Sequence, residues 1–201
     1  GVTGSGKTEV YLRAAEHALE QGGSVLILVP EIALTIQMVD YFSARFGSEV
    51  VFIHSKLSRG ERYNNRARIQ NGESHIVIGS RSALFMPYQN LKLIVVDEEY
   101  DTSYKQDETP RYNGRDAAKK LAVLWQCPIV LGAATPAVET YYAAKQGKIE
   151  LLEMKGRVHH VPLPVIHIVD MREEQGDIPY SRVLLESLRE TVRAGKKGIL
   201  F

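Results

Sequence analysis

Cysteine is almost absent: Cys127 is the only one in 201 residues. That excludes an intrachain disulfide and any zinc site built from this chain's cysteines, and it suits a reducing, intracellular compartment. Charge of one sign is lacking too. Lys and Arg total 25 against 24 Asp and Glu, a formal net charge of +1. Bulk attraction to nucleic acid is therefore excluded, and any such contact must come from local patches. No apolar run approaches the roughly 20 residues that a membrane span needs. The opening Gly1-Val2-Thr3-Gly4 lacks the basic-then-apolar pattern of a secretion signal. A disordered tail and a collagen-like fibre are excluded by composition. The chain is 44% hydrophobic and 24% charged, the balance of a globular chain able to bury a core.

What is there is an alternation. Residues 7–21 have helical apolar spacing, with Val10, Ala14 and Ala18 on one face, Tyr11, Ala15 and Leu19 beside them, and Gly22-Gly23 as a stop. Residues 25–29 are apolar throughout, as in a strand covered on both faces. Further strands are expected at 50–53, 76–78, 93–96, 129–131, 151–152 and 165–169. Helices are expected at about 32–46, from a Ser58 cap to near Gly72, at 116–125 with Leu121 and Leu124 inward, and at 137–146. A last helix, capped by Ser181 and stopped by Gly195, would bury Leu184, Leu185, Leu188 and Val192. Strands alternating with helices predict an α/β fold, a mainly parallel sheet between two helical layers. Segments 100–114 and 156–164 are the least regular. The first strand of such a fold would precede Gly1, and 198–201 reads as a strand just begun, so the chain reads as an interior excerpt. Residues 1–195 form one lobe on this reading, and 196–201 a linker or the start of a second.

Gly1-Val2-Thr3-Gly4-Ser5-Gly6-Lys7-Thr8 matches the phosphate-loop pattern G-x-x-x-x-G-K-[ST]. Its glycines let successive N–H groups point at phosphate oxygens; Lys7 reaches the β- and γ-phosphates and the Thr8 hydroxyl binds Mg²⁺. A glycine-rich turn that happens to end in Lys-Thr is the plain alternative. The apolar strand at 93–96 runs into Asp97-Glu98-Glu99. At the carboxyl edge of a parallel sheet these acids face the same crevice as the loop. Asp97 can hold Mg²⁺ and Glu98 can orient or deprotonate water, which favours hydrolysis over phosphoryl transfer. A solvated acidic turn is the alternative here.

The acidic triplet after a phosphate loop resembles the DEAD/DEAH-type motif of superfamily 2 helicases. Pro30-Glu31-Ile32-Ala33-Leu34-Thr35 resembles motif Ia, Gly79-Ser80-Arg81-Ser82-Ala83-Leu84-Phe85 motif Ib, and Gly132-Ala133-Ala134-Thr135-Pro136 motif III. With His54-Ser55, Ser103-Tyr104-Lys105-Gln106 and Pro110-Arg111-Tyr112, the set is similar to the bacterial replication-restart helicases over almost the whole chain. The resemblance implies a RecA-like phosphate-loop NTPase lobe, the first of two. It implies ATP and Mg²⁺ as ligands, 3′-to-5′ unwinding, and primosome assembly at stalled forks. As partners it implies forked or single-stranded DNA, single-strand-binding protein and other primosome proteins. Location would be bacterial cytoplasm, at the nucleoid, with no membrane. Structural zinc would lie only beyond residue 201. An arginine finger would come from the second lobe, so the excerpt alone is expected to hydrolyse ATP negligibly. The sequence departs from the family at Tyr100, usually a histidine linking hydrolysis to DNA contact, and at Ala133, commonly serine. Tyrosine can donate one hydrogen bond but cannot become cationic near neutral pH.

Tyr104, Lys105, Arg111, Tyr112 and Arg115 make an aromatic, basic loop between the acidic motif and motif III. Aromatic faces stack on unpaired bases and cations pair with phosphates. By resemblance the loop senses single-stranded DNA; the alternative is tyrosines packed down on the lobe. His54, Ser55, Arg81 and Ser82, with motif Ia, are expected to hold one strand's phosphates away from the nucleotide. For Arg81 an internal salt bridge competes. His159-His160 and His167 lack a ligand set at recognisable spacing, and 171–174 reads as a solvated face. Two rivals stay open: another superfamily 2 translocase, and a nucleotide switch or scaffold lobe without motor activity.

Overall fold

Five apolar runs become five parallel strands, because each has a hydrophobic layer waiting on both of its faces. The computed structural model describes residues 5–31, 36–154, 156, 165–173 and 179–200, with only the backbone given for 36 and 37. The chain divides into two units, Gly1–His160 and Val161–Phe201. In the first unit the strands are β1 (Ser24–Leu28), β2 (Val50–Ile53), β3 (Ile76–Gly79), β4 (Leu91–Val96) and, after a short ribbon, β7 (Ile129–Leu131). They lie in the order β2-β3-β1-β4-β7, every neighbouring pair parallel. Helices α2 (Ile36–Phe46), α3 (Arg59–Gln70) and α4 (Gly114–Trp125) make crossovers, while α1 (Lys7–Glu20) leads into β1 and α5 (Val138–Lys145) follows β7.

Side chains alternate along each strand, so one strand feeds two cores. Val25, Ile27, Ile76, Ile78, Leu93 and Val95 pack with Tyr11, Leu12, Ala15 and Ala18 of α1 and with Phe42 of α2. Leu26, Leu28, Val77, Ile94 and Val96 pack with Ile69 of α3 and with Ala118 and Ala122 of α4. The result is the expected three-layer α/β/α arrangement, all-parallel in its main sheet. Parallel strands put their carboxyl ends on one edge, where loops carry chemistry.

Several expectations fail in detail. On α1, Val10 is 44% exposed and Leu12 takes the buried place. α4 meets the sheet through Gly114, Ala118 and Ala122, a stripe of small residues that lets the helix lie close, while Leu124 is 79% exposed. α4 also begins earlier than expected, because the Asn113 side chain caps the N–H groups of Arg115 and Asp116. Residues 151–152 form no strand, and Leu152 is exposed. The segment 100–114 is more regular than expected: it holds the antiparallel ribbon β5 (Lys105–Gln106) and β6 (Tyr112–Asn113).

In the second unit, α6 (Arg182–Arg193) starts at the expected Ser181 cap, whose hydroxyl accepts from Leu184 N, and Gly195 ends it at φ +67°. Its apolar stripe is not a buried face: Leu184, Leu185 and Leu188 are half-buried and Val192 is 70% exposed. Residues 165–169 and 198–200 are not strands. A short apolar run becomes a strand only when a neighbour takes up its backbone groups, and none is present among the described residues of this unit.

Candidate active site and adjoining cleft

α1 begins at the carboxyl edge of the sheet. Gly6 caps it in the left-handed region at φ +88°, a conformation that glycine adopts without steric cost. Gly1, Val2, Thr3 and Gly4 lie outside the described residues. Ser5 is buried, and its Oγ has no hydrogen-bond partner among the described residues. Lys7 and Thr8 follow in the first turn, both half-buried.

β4 delivers three carboxylates to the same edge, and each meets a different fate. Asp97 Oδ1 accepts from Tyr11 OH at 2.8 Å, while the Asp97 backbone carbonyl accepts from Tyr104 OH at 2.7 Å. Burial raises the Asp97 carboxyl above its ordinary range, against the pull of the Tyr11 hydrogen bond and the Lys7 charge. Burial, then the Asp97 charge, pushes the Tyr11 phenol far up, so it stays a donor. Glu98 Oε1 accepts from Lys7 Nζ at 2.5 Å, and its Oε2 accepts from Ala134 N at 3.4 Å. The backbone at Glu98 has φ +44°, which for a residue with a Cβ costs roughly 1–2 kcal/mol. That turn swings the side chain out of line with β4 and toward Lys7.

Glu99 turns inward and is buried. It accepts from Arg115 Nη1 at 3.1 Å, Ala137 N at 2.7 Å and Thr140 Oγ1 at 3.0 Å. One carboxylate thus ties β4 to the start of α4 and to the start of α5. Burial works against the Arg115 charge, but the hydrogen bond to Glu99 and the nearby Asp116 outweigh it and leave the guanidinium more basic than usual. Gly132 completes the site. A Cβ there would sit 1.7 Å from Tyr11 Oη, so only glycine leaves room for the phenol that holds Asp97.

Beyond the ribbon lies a cleft of about 260 Å³ whose lining includes Glu31, Ser55, Arg81, Ser82, Tyr104 and Tyr112. Residues expected on two separate surfaces, the strand-tracking loops and the aromatic loop, therefore share one cavity. Pro30 is buried behind it, His54 is half-buried, and Ser55 and Glu31 are exposed. The Arg81 guanidinium donates to the Lys105 carbonyl rather than joining a salt bridge. Tyr112 meets Phe85 edge-on, with ring centroids 5.6 Å apart.

Residues 1–143 match the DEAD/DEAH box helicase family. The chain belongs to that family. It is similar over its whole length to the replication restart protein PriA of Bacillus subtilis (strain 168), 48% identical over 204 residues that make up 25% of that protein. It is likewise similar to the PriA of Treponema pallidum (strain Nichols), 44% identical over 201 residues, 30% of that protein. The chain thus spans about a quarter to a third of the length of these relatives. Among solved structures, RecG bound to a three-way DNA junction shares the fold, with a TM-score of 0.52 and 22% identity over 73% of this chain and 19% of that one.

For a lobe of the DEAD/DEAH family, the aromatic loop needs correction. Tyr104 is 1% exposed, so its ring cannot take a stacked base. Its phenol instead holds the Asp97 carbonyl while the residue lines the cleft. Lys105 is exposed beside Asp107 and Arg111 is exposed with Nε on the Asp107 carbonyl. Tyr100 is 45% exposed, and Thr135 of motif III is exposed. His167 is exposed; His159 and His160 lie outside the described residues. Glu99, expected to face the crevice with Asp97 and Glu98, turns inward instead. Tyr11, in sequence an ordinary member of an apolar helix face, is a part of the site that only the structure brings out.

Proposed function

We propose that this chain is the ATP-binding lobe of a DNA helicase that acts in replication restart. The observation that carries the reading is the meeting of Lys7 with Glu98, beside Asp97, at the start of α1. An ammonium, two carboxylates and the free N–H groups of a helix start are the parts that hydrolysis of a triphosphate needs. The residues fit ATP with Mg²⁺. Ser5 Oγ is a buried hydroxyl without a partner among the described residues, and Asp97 carries a burial penalty that a cation's charge would offset.

On this reading the backbone of Gly1, Val2, Thr3, Gly4, Ser5 and Gly6 cradles the phosphates and Lys7 contacts the β- and γ-phosphates. Thr8 and Asp97 hold Mg²⁺, which when bound neutralises charge on the phosphate oxygens. Lys7 leaves Glu98 to reach phosphate, and the freed carboxylate orients and deprotonates the attacking water. Tyr11 keeps Asp97 in place. Ser55, Arg81 and Ser82 hold one DNA strand by its phosphates, contacts that carry no sequence information and suit movement along it. Tyr112 supplies the aromatic face in place of Tyr104. Translocation 3′ to 5′, with single-strand-binding protein and other primosome proteins as partners, completes this reading and is what the sequence motifs imply by resemblance.

The test is ATP hydrolysis by the full-length protein, with and without single-stranded DNA. Wild type is expected to be stimulated by DNA. Glu98→Gln is expected to lose about 10²–10⁴-fold in kcat while still binding ATP. Nucleotide binding without DNA-stimulated turnover in the wild type would make the lobe a switch or scaffold instead.

A further inference from the structure

α3 is a polar helix that carries none of the motifs described above. Its sequence, RGERYNNRARIQ, carries four arginines and one acid. That acid, Glu61, is turned back to the helix start, where its carboxylate accepts from Ser58 N at 2.8 Å in a capping box. The helix packs through the face that carries Ile69, which is buried in the core, and Asn65, whose Nδ2 donates to the Phe52 carbonyl. Arg59, Arg62, Tyr63 and Arg66, spaced i, i+3, i+4 and i+7, are all exposed and form one stripe beside that face. They line a shallow depression with Leu57 as its floor. Tyr63 is 73% exposed, and none of these three arginines is paired with a described carboxylate. Arg62 also lines the cleft that holds Ser55, Arg81 and Ser82, so the stripe starts inside the cleft and leaves it along α3.

We propose that this stripe is a second contact surface for a single-stranded polynucleotide, continuing the track of the cleft. The inference rests on the DNA-binding reading of the cleft given above. Its chemistry is that of non-specific single-strand sites: cations set along a backbone path with an aromatic face among them. The reach fits. From Arg59 to Arg66 the helix rises about 10 Å, enough to meet more than one phosphate of a strand laid along it. A net charge of +1 makes this local excess the kind of patch through which such a chain can hold phosphates.

The test uses the full-length protein and labelled oligothymidylate, with affinity followed against salt concentration. Each phosphate contact on a single strand contributes about 0.7 to the slope of log K on log salt. Arg59→Ala with Arg66→Ala is expected to flatten that slope by about 1.4, and Arg59→Lys with Arg66→Lys to restore it. Tyr63→Ala is expected to weaken binding at least about fivefold with little change of slope. Wild-type slopes and affinities in all α3 variants, with binding still lost on Ser82→Ala, would overturn the α3 surface and leave the cleft reading standing. Effects seen only with duplex would overturn the single-strand assignment. No binding by the wild type would remove both readings together.

Discussion

At the end of β4, Asp97, Glu98 and Glu99 are held by Tyr11, Lys7, Arg115, Thr140 and two backbone N–H groups. Across the ribbon, Ser55, Ser82 and Arg62 face an open cleft. The two regions share a sheet edge and Tyr104, which lines the cleft and holds the Asp97 carbonyl. The contrast is one of preorganisation. Asp97 and Glu99 are held in place by Tyr11, Arg115 and Thr140, whereas Lys7 and Glu98 are held by each other. Groups that hold a moving polymer keep their hydrogen-bonding capacity for it. On the function proposed above, hydrolysis and grip can then be disturbed separately.

The comparison breaks most visibly at Glu99. Glu99→Ala leaves Arg115 with the exposed Asp116 as its remaining described carboxylate and strips Ala137 N and Thr140 of their acceptor. A loss of about 3–5 kcal/mol in denaturant unfolding is expected. A loss below about 1 kcal/mol would mean that the three contacts are not the anchor argued here. Gly132→Ala forces the Tyr11 phenol off Asp97. We expect it to cost about 1–3 kcal/mol and to weaken Mg²⁺-dependent ATP binding, read by calorimetry with and without the cation. On the cleft side, Tyr112→Ala is expected to lower DNA-stimulated ATPase much more than ATP affinity. Its stability cost should stay near the roughly 0.5–1.5 kcal/mol of its ring contact with Phe85. Unchanged stimulation removes Tyr112 from the DNA path.

The smallest effect is a pH signature at Asp97. Its raised proton affinity means that the folded chain keeps a proton over a range where the unfolded chain has lost it. Stability is therefore lost as pH rises from the ordinary carboxylate range through the folded value. Asp97→Asn should be more stable than wild type above that window and equal to it below. A stability gain that grows on acidification would reverse the assignment.

Much of this was legible in the sequence because local chemistry sets it. The apolar runs of β1, β3 and β4 need cover on both faces, and Ser58 is the kind of residue that caps a helix start. The phosphate loop and Asp97-Glu98 could be matched because each is a short pattern. Glu99 could not, since Arg115 and Thr140 lie 16 and 41 residues away and only the fold brings them to it. Tyr104 was misjudged for a related reason. Composition shows an aromatic ring but not which way it points, and burial turned a stacking face into a brace. The apolar runs at 151–152 and 165–169 show the converse limit: hydrophobicity without a neighbouring strand makes no sheet.

The central claim is that Lys7 and the acids of β4 share one triphosphate, so that the ion pair between Lys7 and Glu98 must open for ATP to bind. Calorimetric titration of the full-length protein with Mg²⁺ and ATP tests it directly. Glu98→Gln, which frees the lysine in advance, should bind several-fold tighter than wild type, and Lys7→Ala should bind far more weakly. Equal affinity in all three proteins would contradict the account.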